Sequence, residues 1–160
     1  MDIPLIQKYY QGFSEGAKQI NPEIDILKTY ADDFGNDQLG AELAESIIQK
    51  EADVLFSPAG FTGVGVIQKA QEKNIYSIGV DSDQYYLAEK SVVTSVLKKV
   101  DSVVYDLVAQ RVQKGEIPKE NLQYGIAENG VDLAPLRIVN LNGENQKKMA
   151  ELRANFGDEK

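Results

Sequence analysis

Histidine, cysteine and tryptophan are absent from all 160 residues. Without histidine there is no side chain whose ordinary pKa lies near neutrality, and without cysteine there is no thiol nucleophile. The His/Cys ligand sets of zinc and iron sites disappear with them, so neither a metal nor a cofactor is expected. Missing thiols do not choose a redox compartment, because a thiol-free chain suits the cytoplasm and the exterior equally. Long hydrophobic runs are lacking too. No stretch approaches about eighteen consecutive apolar residues, and no charged segment followed by an apolar one opens the chain, so a spanning helix and a signal peptide are not expected within it. Positive charge is in the minority, 17 basic against 25 acidic residues for a net charge of -8. That balance repels phosphate backbones and anionic lipid heads, which argues against nucleic-acid and membrane-surface partners. What remains is a chain long enough for one domain with a core, stripped of the commonest catalytic residues; it is not expected to be an enzyme.

What is present alternates in period. Asp2 as a candidate N-cap and Pro4 in the first turn precede Leu5, Ile6, Tyr9, Phe13, Ala17 and Ile20 at helical spacing. Asn21-Pro22 ends that helix, and Ile24–Tyr30 alternates as a strand does. Asp37 caps a helix to about Lys50, Ala52–Phe56 is a short buried strand, and a glycine-rich turn leads into a helix ending near Asn74. Strands follow at Ile75–Val80 and Ser91–Ser95, then a helix over about 98–114 that stops at Gly115 with Pro118 beyond. Further strands are expected around Leu122–Ala127 and Arg137–Val139, on either side of an irregular Glu128–Pro135 loop, with a last helix from about Glu144. Alternation with short connections implies an α/β fold in three layers, a largely parallel sheet with helices on both faces. A doubly wound sheet ordinarily starts with a strand, whereas here the chain enters a helix at once.

In such a sheet ligands bind at the carboxyl ends of the strands, so the informative loops follow Tyr30, Phe56, Val80 and Ser95. Gly60-Phe61-Thr62-Gly63-Val64-Gly65 can bring backbone N–H groups to a ligand at a helix N-terminus, or can simply be a tight turn that needs glycine. Its spacing is neither a dinucleotide fingerprint nor a P-loop. Asp81, in Asp81-Ser82-Asp83-Gln84, can accept two hydrogen bonds from vicinal hydroxyls; a solvated turn, a helix cap and a calcium-type cluster are the alternatives. Phe34 sits among polar loop residues, where it can stack on a base or anchor the loop against the sheet. Lys98, at a strand-to-helix junction, can donate to a ligand hydroxyl or to Asp81, or can be a surface lysine. Tyr9, Tyr10 and Phe13 read as core or interface residues without a ligand role.

Four motifs together resemble the basic membrane lipoprotein family, the purine-nucleoside-type binding proteins of ABC importers. They are Met1-Asp2-Ile3-Pro4-Leu5-Ile6 with Gly12-Phe13 and Gly16-Ala17; the Gly60–Gly65 turn; Gly79-Val80-Asp81-Ser82-Asp83-Gln84; and Thr94-Ser95-Val96-Leu97-Lys98-Lys99-Val100-Asp101. The resemblance covers about residues 1–135. It implies the second lobe of a type I periplasmic-binding-protein fold, in which two lobes close over a nucleoside. It further implies that Phe34 stacks on the base, that Gly60 touches the ligand through its backbone, and that Asp81 and Lys98 hold the ribose. An ABC permease complex is the implied partner, and a lipid-anchored position outside the cytoplasmic membrane is the implied location.

The chain departs from that pattern in lacking the family's first lobe, signal sequence and lipid-bearing cysteine. The strand expected ahead of Met1 is lacking as well, so Met1 is expected to correspond to an internal methionine of a longer protein. The expected organisation is a single partial domain: residues 1–97 and 119–160 form the ligand-binding lobe, and 98–118 is a helical segment that normally packs on the first lobe. An apolar face on that helix, together with the open sheet edge, points to homo-oligomerisation. The alternatives in function are a sugar-binding lobe and a fragment that acts through assembly alone.

Overall fold

The computed structural model describes residues 1–116 and 120–158; Pro118, the expected stop beyond Gly115, lies outside them. Five α-helices and a four-stranded sheet make up the described residues. α1 (Pro4–Ile20) and α2 (Asp37–Ile48) precede β1 (Val54–Phe56). Then come α3 (Phe61–Glu72), β2 (Tyr76–Asp81), a 3-10 turn at Tyr85–Leu87 and β3 (Val92–Lys98). α4 (Val100–Lys114), β4 (Val131–Leu133) and α5 (Gly143–Asp158) complete the order. Strand order is β1-β2-β3-β4, with β1, β2 and β3 parallel and β4 antiparallel to β3.

Strand alternation shows why helices lie on both faces. Leu55 packs with Ala44 of α2 and Ala70 of α3, whereas its neighbour Phe56 meets the rings of Tyr9 and Phe13 of α1 at 6.0 and 5.3 Å. Successive strand residues point to opposite faces, so α1 lies across the sheet from α2 and α3. The α2/α3 side is close-packed. A Cβ on Gly65 would stand 1.8 Å from the Asp37 carbonyl oxygen, so glycine is what lets these helices touch. A second apolar cluster joins Ile67, Ala88 and Val92. By contrast, neither α1 nor α4 has a buried residue. Val100, Val104, Tyr105, Val108 and Val112 of α4 are all exposed.

Several expected boundaries move, each for a local reason. Ile3 rather than Asp2 occupies the first N-cap, while the Asp2 carboxylate accepts from the Gln7 amide at 2.9 Å. Asn36 rather than Asp37 caps α2, its side chain accepting from the Leu39 N–H at 3.0 Å. Ile24–Tyr30 runs without helix or strand, because no strand lies beside it. Leu122–Ala127 is not a strand either, and the expected irregular loop supplies β4 instead. β4 takes the outer edge of β3 in the register Val96 with Leu133 and Lys98 with Val131, so that edge is not available to the earlier segment. The turn at 125–130 closes on itself, with Gly130 N–H donating to the Gly125 carbonyl at 2.8 Å and Asn129 at φ 57°. Arg137–Val139 is likewise unpaired as a strand; Arg137 is engaged through its side chain.

Candidate functional site

Parallel strands β1, β2 and β3 deliver their carboxyl ends to one rim of the sheet, and the four expected residues fall there as two pairs. The first is Phe34 with Gly60. Gly60 has φ 58°, in the left-handed region that favours glycine, and a Cβ there would stand 3.0 Å from the Phe34 carbonyl oxygen. The Phe34 ring is 37% exposed and belongs to neither apolar cluster. Its loop is held by Thr62, a buried residue inside the glycine-rich turn. Thr62 Oγ1 donates to the Asp33 carbonyl at 2.8 Å and accepts from the Asn36 N–H at 3.0 Å, while Thr62 N–H donates to the Phe34 carbonyl at 3.2 Å. The glycine-rich segment thus works both as a tight turn and as the seat of the aromatic.

The second pair is Asp81 with Lys98. These residues end two adjacent strands whose register sets Asp81 beside Leu97, and the Lys98 ammonium meets the Asp81 carboxylate at 2.8 Å. Both side chains remain more than a third exposed, so the pair is reachable by a ligand. Asp81 sits at φ 68°, an unusual conformation for a residue with a side chain. The Asp81 carboxylate, with Tyr9 in support, holds the Lys98 ammonium above the ordinary lysine pKa against a smaller desolvating effect, so it stays charged. A carboxylate and an ammonium presented side by side offer acceptors and donors together, the complement of a polyhydroxyl group.

Three neighbours were not expected. Tyr9 of α1 brings its ring to 5.4 Å from the Lys98 nitrogen; its spacing with Phe13 marked it as apolar, and nothing in the spacing marked it as polar as well. The Gln84 side-chain oxygen accepts from Val80 N–H at 2.9 Å, and Gln84 N–H donates to Ser95 Oγ at 3.0 Å, fixing the loop behind Asp81. Arg137, from far along the chain, donates to Asp83 at 2.6 Å and lies 4.7 Å over the Tyr85 ring. That guanidinium, aided by the Tyr85 backbone N–H, holds the Asp83 carboxyl below its ordinary value. No sequence signal ties Arg137 to a loop 54 residues earlier.

A cavity of about 640 Å³ is not lined by any of the four. It lies between α1, α2 and β1, away from the Asp81–Lys98 pair. Among the described residues no group of three or more His, Cys, Asp or Glu side chains is placed to hold a metal ion.

The family described as "ABC transporter substrate-binding protein PnrA-like" matches residues 1–155. Basic membrane protein D of Borreliella burgdorferi is 35% identical over 132 residues, 81% of this chain and 39% of the relative. The chain therefore spans well under half the length of the curated relatives it matches. Among solved structures, an ABC transporter system solute-binding protein from Aeropyrum pernix aligns with TM-score 0.76 and 27% identity, covering 98% of this chain and 43% of that one. A transcriptional activator of the comK gene from Bacillus halodurans aligns with TM-score 0.81 over 94% of this chain and 52% of that one; at 23% identity it speaks for the fold alone.

Proposed function

Because this chain belongs to the ABC transporter substrate-binding protein PnrA-like family, we propose that it forms one side of a cleft for a purine nucleoside in ABC-type import. The Asp81–Lys98 pair carries the reading. A charged acceptor and a charged donor 2.8 Å apart, at the ends of neighbouring parallel strands, suit the vicinal hydroxyls of ribose. Phe34 then offers its exposed ring to the base, and the backbone at Gly60 approaches the ligand where no Cβ intervenes. In this reading residues 1–97 and 119–160 form the lobe, and α4 lays its apolar face on a partner lobe that completes the cleft. An ABC permease and a lipid-anchored, extracytoplasmic position belong to the same proposal. One side of a cleft binds weakly, since each base–aromatic stack is worth about 1–3 kcal/mol and each hydrogen bond about 0.5–1.5 kcal/mol.

The test is calorimetric titration with inosine, guanosine, adenosine and ribose, repeated with Asp81→Gly. Glycine accepts φ 68° without strain, so this variant deletes the carboxylate while sparing the backbone. Saturable nucleoside binding, weakened about tenfold or more in the variant, is expected, because hydrogen bonds to charged groups are worth about 1.5–3 kcal/mol. Equal response to ribose alone would move the assignment to a sugar. No response from this chain, nor from a protein of the relatives' full length carrying it, sinks the assignment.

A further inference from the structure

Two adjacent strand ends carry more charge than one ligand pair needs. Asp81 and Asp83 stand at the end of β2, and Lys98 and Lys99 at the end of β3. Asp81 and Lys98 pair with each other at 2.8 Å. The remaining anion and cation are each taken by residues that arrive much later in the chain. Arg137 donates to Asp83 Oδ2 at 2.6 Å and lies 4.7 Å over the Tyr85 ring, while the Tyr85 N–H donates to Asp83 Oδ1 at 3.2 Å. Lys99 donates to the Asn129 side-chain oxygen at 2.6 Å and stands 3.7 Å from Asp132 Oδ2, with Arg153 of α5 on the other Asp132 oxygen at 3.3 Å. Asn129, Asp132 and Arg137 belong to one stretch, and the backbone fixes that stretch before its side chains act. The Lys99 N–H donates to the Gly130 carbonyl at 2.9 Å, and β4 follows, antiparallel to β3. Beyond β4 the Ala134 N–H donates to the Ser95 carbonyl at 2.9 Å, and Thr94 Oγ1 donates to the Ala134 carbonyl at 2.6 Å. The stretch therefore enters beside Lys99 and leaves toward the loop that carries Asp83.

We propose that residues 129–137 determine specificity by occupying the two spare charges, Asp83 through Arg137 and Lys99 through Asn129 and Asp132, so that the site selects an uncharged polyhydroxyl ligand over ionised ones. This rests on the reading of Asp81 and Lys98 as the partners of the ligand. An ionised ligand loses water on entering a cleft and needs an unmatched opposite charge to offset that loss. A rim whose charges are already matched supplies none. A hydroxyl needs only an acceptor and a donor, which the Asp81–Lys98 pair provides. The Arg137 guanidinium holds the Asp83 carboxyl below its ordinary value, so the anion that it cancels is present at neutral pH. The arrangement also fixes the sign of each change. Without the charge of Arg137, an unmatched anion stands in the loop of Asp81 and favours a cationic ligand. Without the charge of Asp83 or of Asp132, an unmatched cation stands there instead and favours an anionic one.

The experiment titrates the 160-residue chain, by NMR chemical shift at low ionic strength, with inosine, its cationic 5′-amino analogue and its anionic 5′-carboxylate analogue. The variants are Arg137→Gln, Asp83→Asn, the two combined, and Asp132→Asn. Glu45→Gln serves as the control, since it removes a carboxylate paired with Lys73 at 2.8 Å on the α2–α3 side. The parent is expected to bind inosine best. Arg137→Gln should shift the ratio of amine to carboxylate affinity toward the amine by about threefold or more, and Asp83→Asn and Asp132→Asn should shift it toward the carboxylate. The combined variant should return to the parent's ratio although its ion pair is gone, which a merely structural bond would not do. If inosine binds but no single variant moves the ratio, or the combined variant fails to restore it, the proposal is overturned alone. An equal shift in Glu45→Gln would assign the effect to the charge of the whole chain and overturn it as well. If none of the three ligands binds this chain or a protein of the relatives' full length carrying it, the reading of Asp81 and Lys98 falls, and this proposal with it.

Discussion

Asp81 combines a proposed function with a backbone conformation that most side chains avoid. Replacement by alanine is expected to lower stability by about 1 kcal/mol, since left-handed backbone costs roughly 1–2 kcal/mol for an ordinary residue. Asp81→Gly should leave the melting temperature near the parent's, and denaturation of the two variants side by side checks the difference. Asp83 makes the second residue-scale prediction. Its folded pKa is depressed, chiefly by Arg137, so the pair stabilises the fold fully above about pH 4, the ordinary aspartate range. That contribution is lost as pH falls through the depressed value. Arg137→Ala should return the Asp83 titration toward the ordinary range in a carboxyl NMR titration and remove the corresponding part of the acid stability. The placement of Asp81 and Lys98 at the ends of neighbouring strands was legible because alternating elements imply a parallel sheet. Arg137 was not, because its meeting with Asp83 depends on where a long irregular segment crosses the molecule.

At the scale of the element, legibility followed hydrogen bonding. α2, α3, β1 and β2 were readable because their periodicity coincides with tertiary partners, as in Leu55 between Ala44 and Ala70. The 24–30 segment has strand-like alternation and no strand beside it, so the pattern alone misled. Residues 131–133 alternate as Val-Asp-Leu over too short a run to stand out, yet pair with β3, because the free edge of β3 was available and the turn at 125–130 aims the chain along it. The α2–α3 contact yields the sharpest test. Gly65→Ala sets a Cβ against backbone rather than a pliable side chain, with Asp37 O at 1.8 Å. Overpacking costs about 1–3 kcal/mol, and this backbone clash belongs at the top of that range or above it, measurable by urea denaturation.

Across the whole molecule, burial is uneven. The fully buried side chains belong to α2, α3, β2, β3 and the turns beside them, including the Ser77–Ser91 hydroxyl pair at 2.9 Å, whereas α1 and α4 have no buried residue. Native-state hydrogen exchange should therefore protect β2 and β3 most and release α1 and α4 first. Val108→Lys, on the exposed face of α4, should change stability by less than about 0.5 kcal/mol, as surface substitutions do. The same change should weaken docking of α4 on a partner lobe. A large loss of stability instead would show that the helix is already packed.

Tyr9 has a consequence of its own. It rides on α1, touches Phe56 and stands beside Lys98, while Ile6, Tyr10, Phe13 and Ala17 of the same helix border the 640 Å³ cavity. Anything that settles α1 on the sheet also settles the neighbour of the Lys98 ammonium, which we propose holds the ligand. The two events then share one free energy: if firmer packing of α1 tightens binding of the proposed ligand by some factor, the ligand must strengthen that packing by the same factor. A lobe built this way would hold its own packing most firmly when loaded.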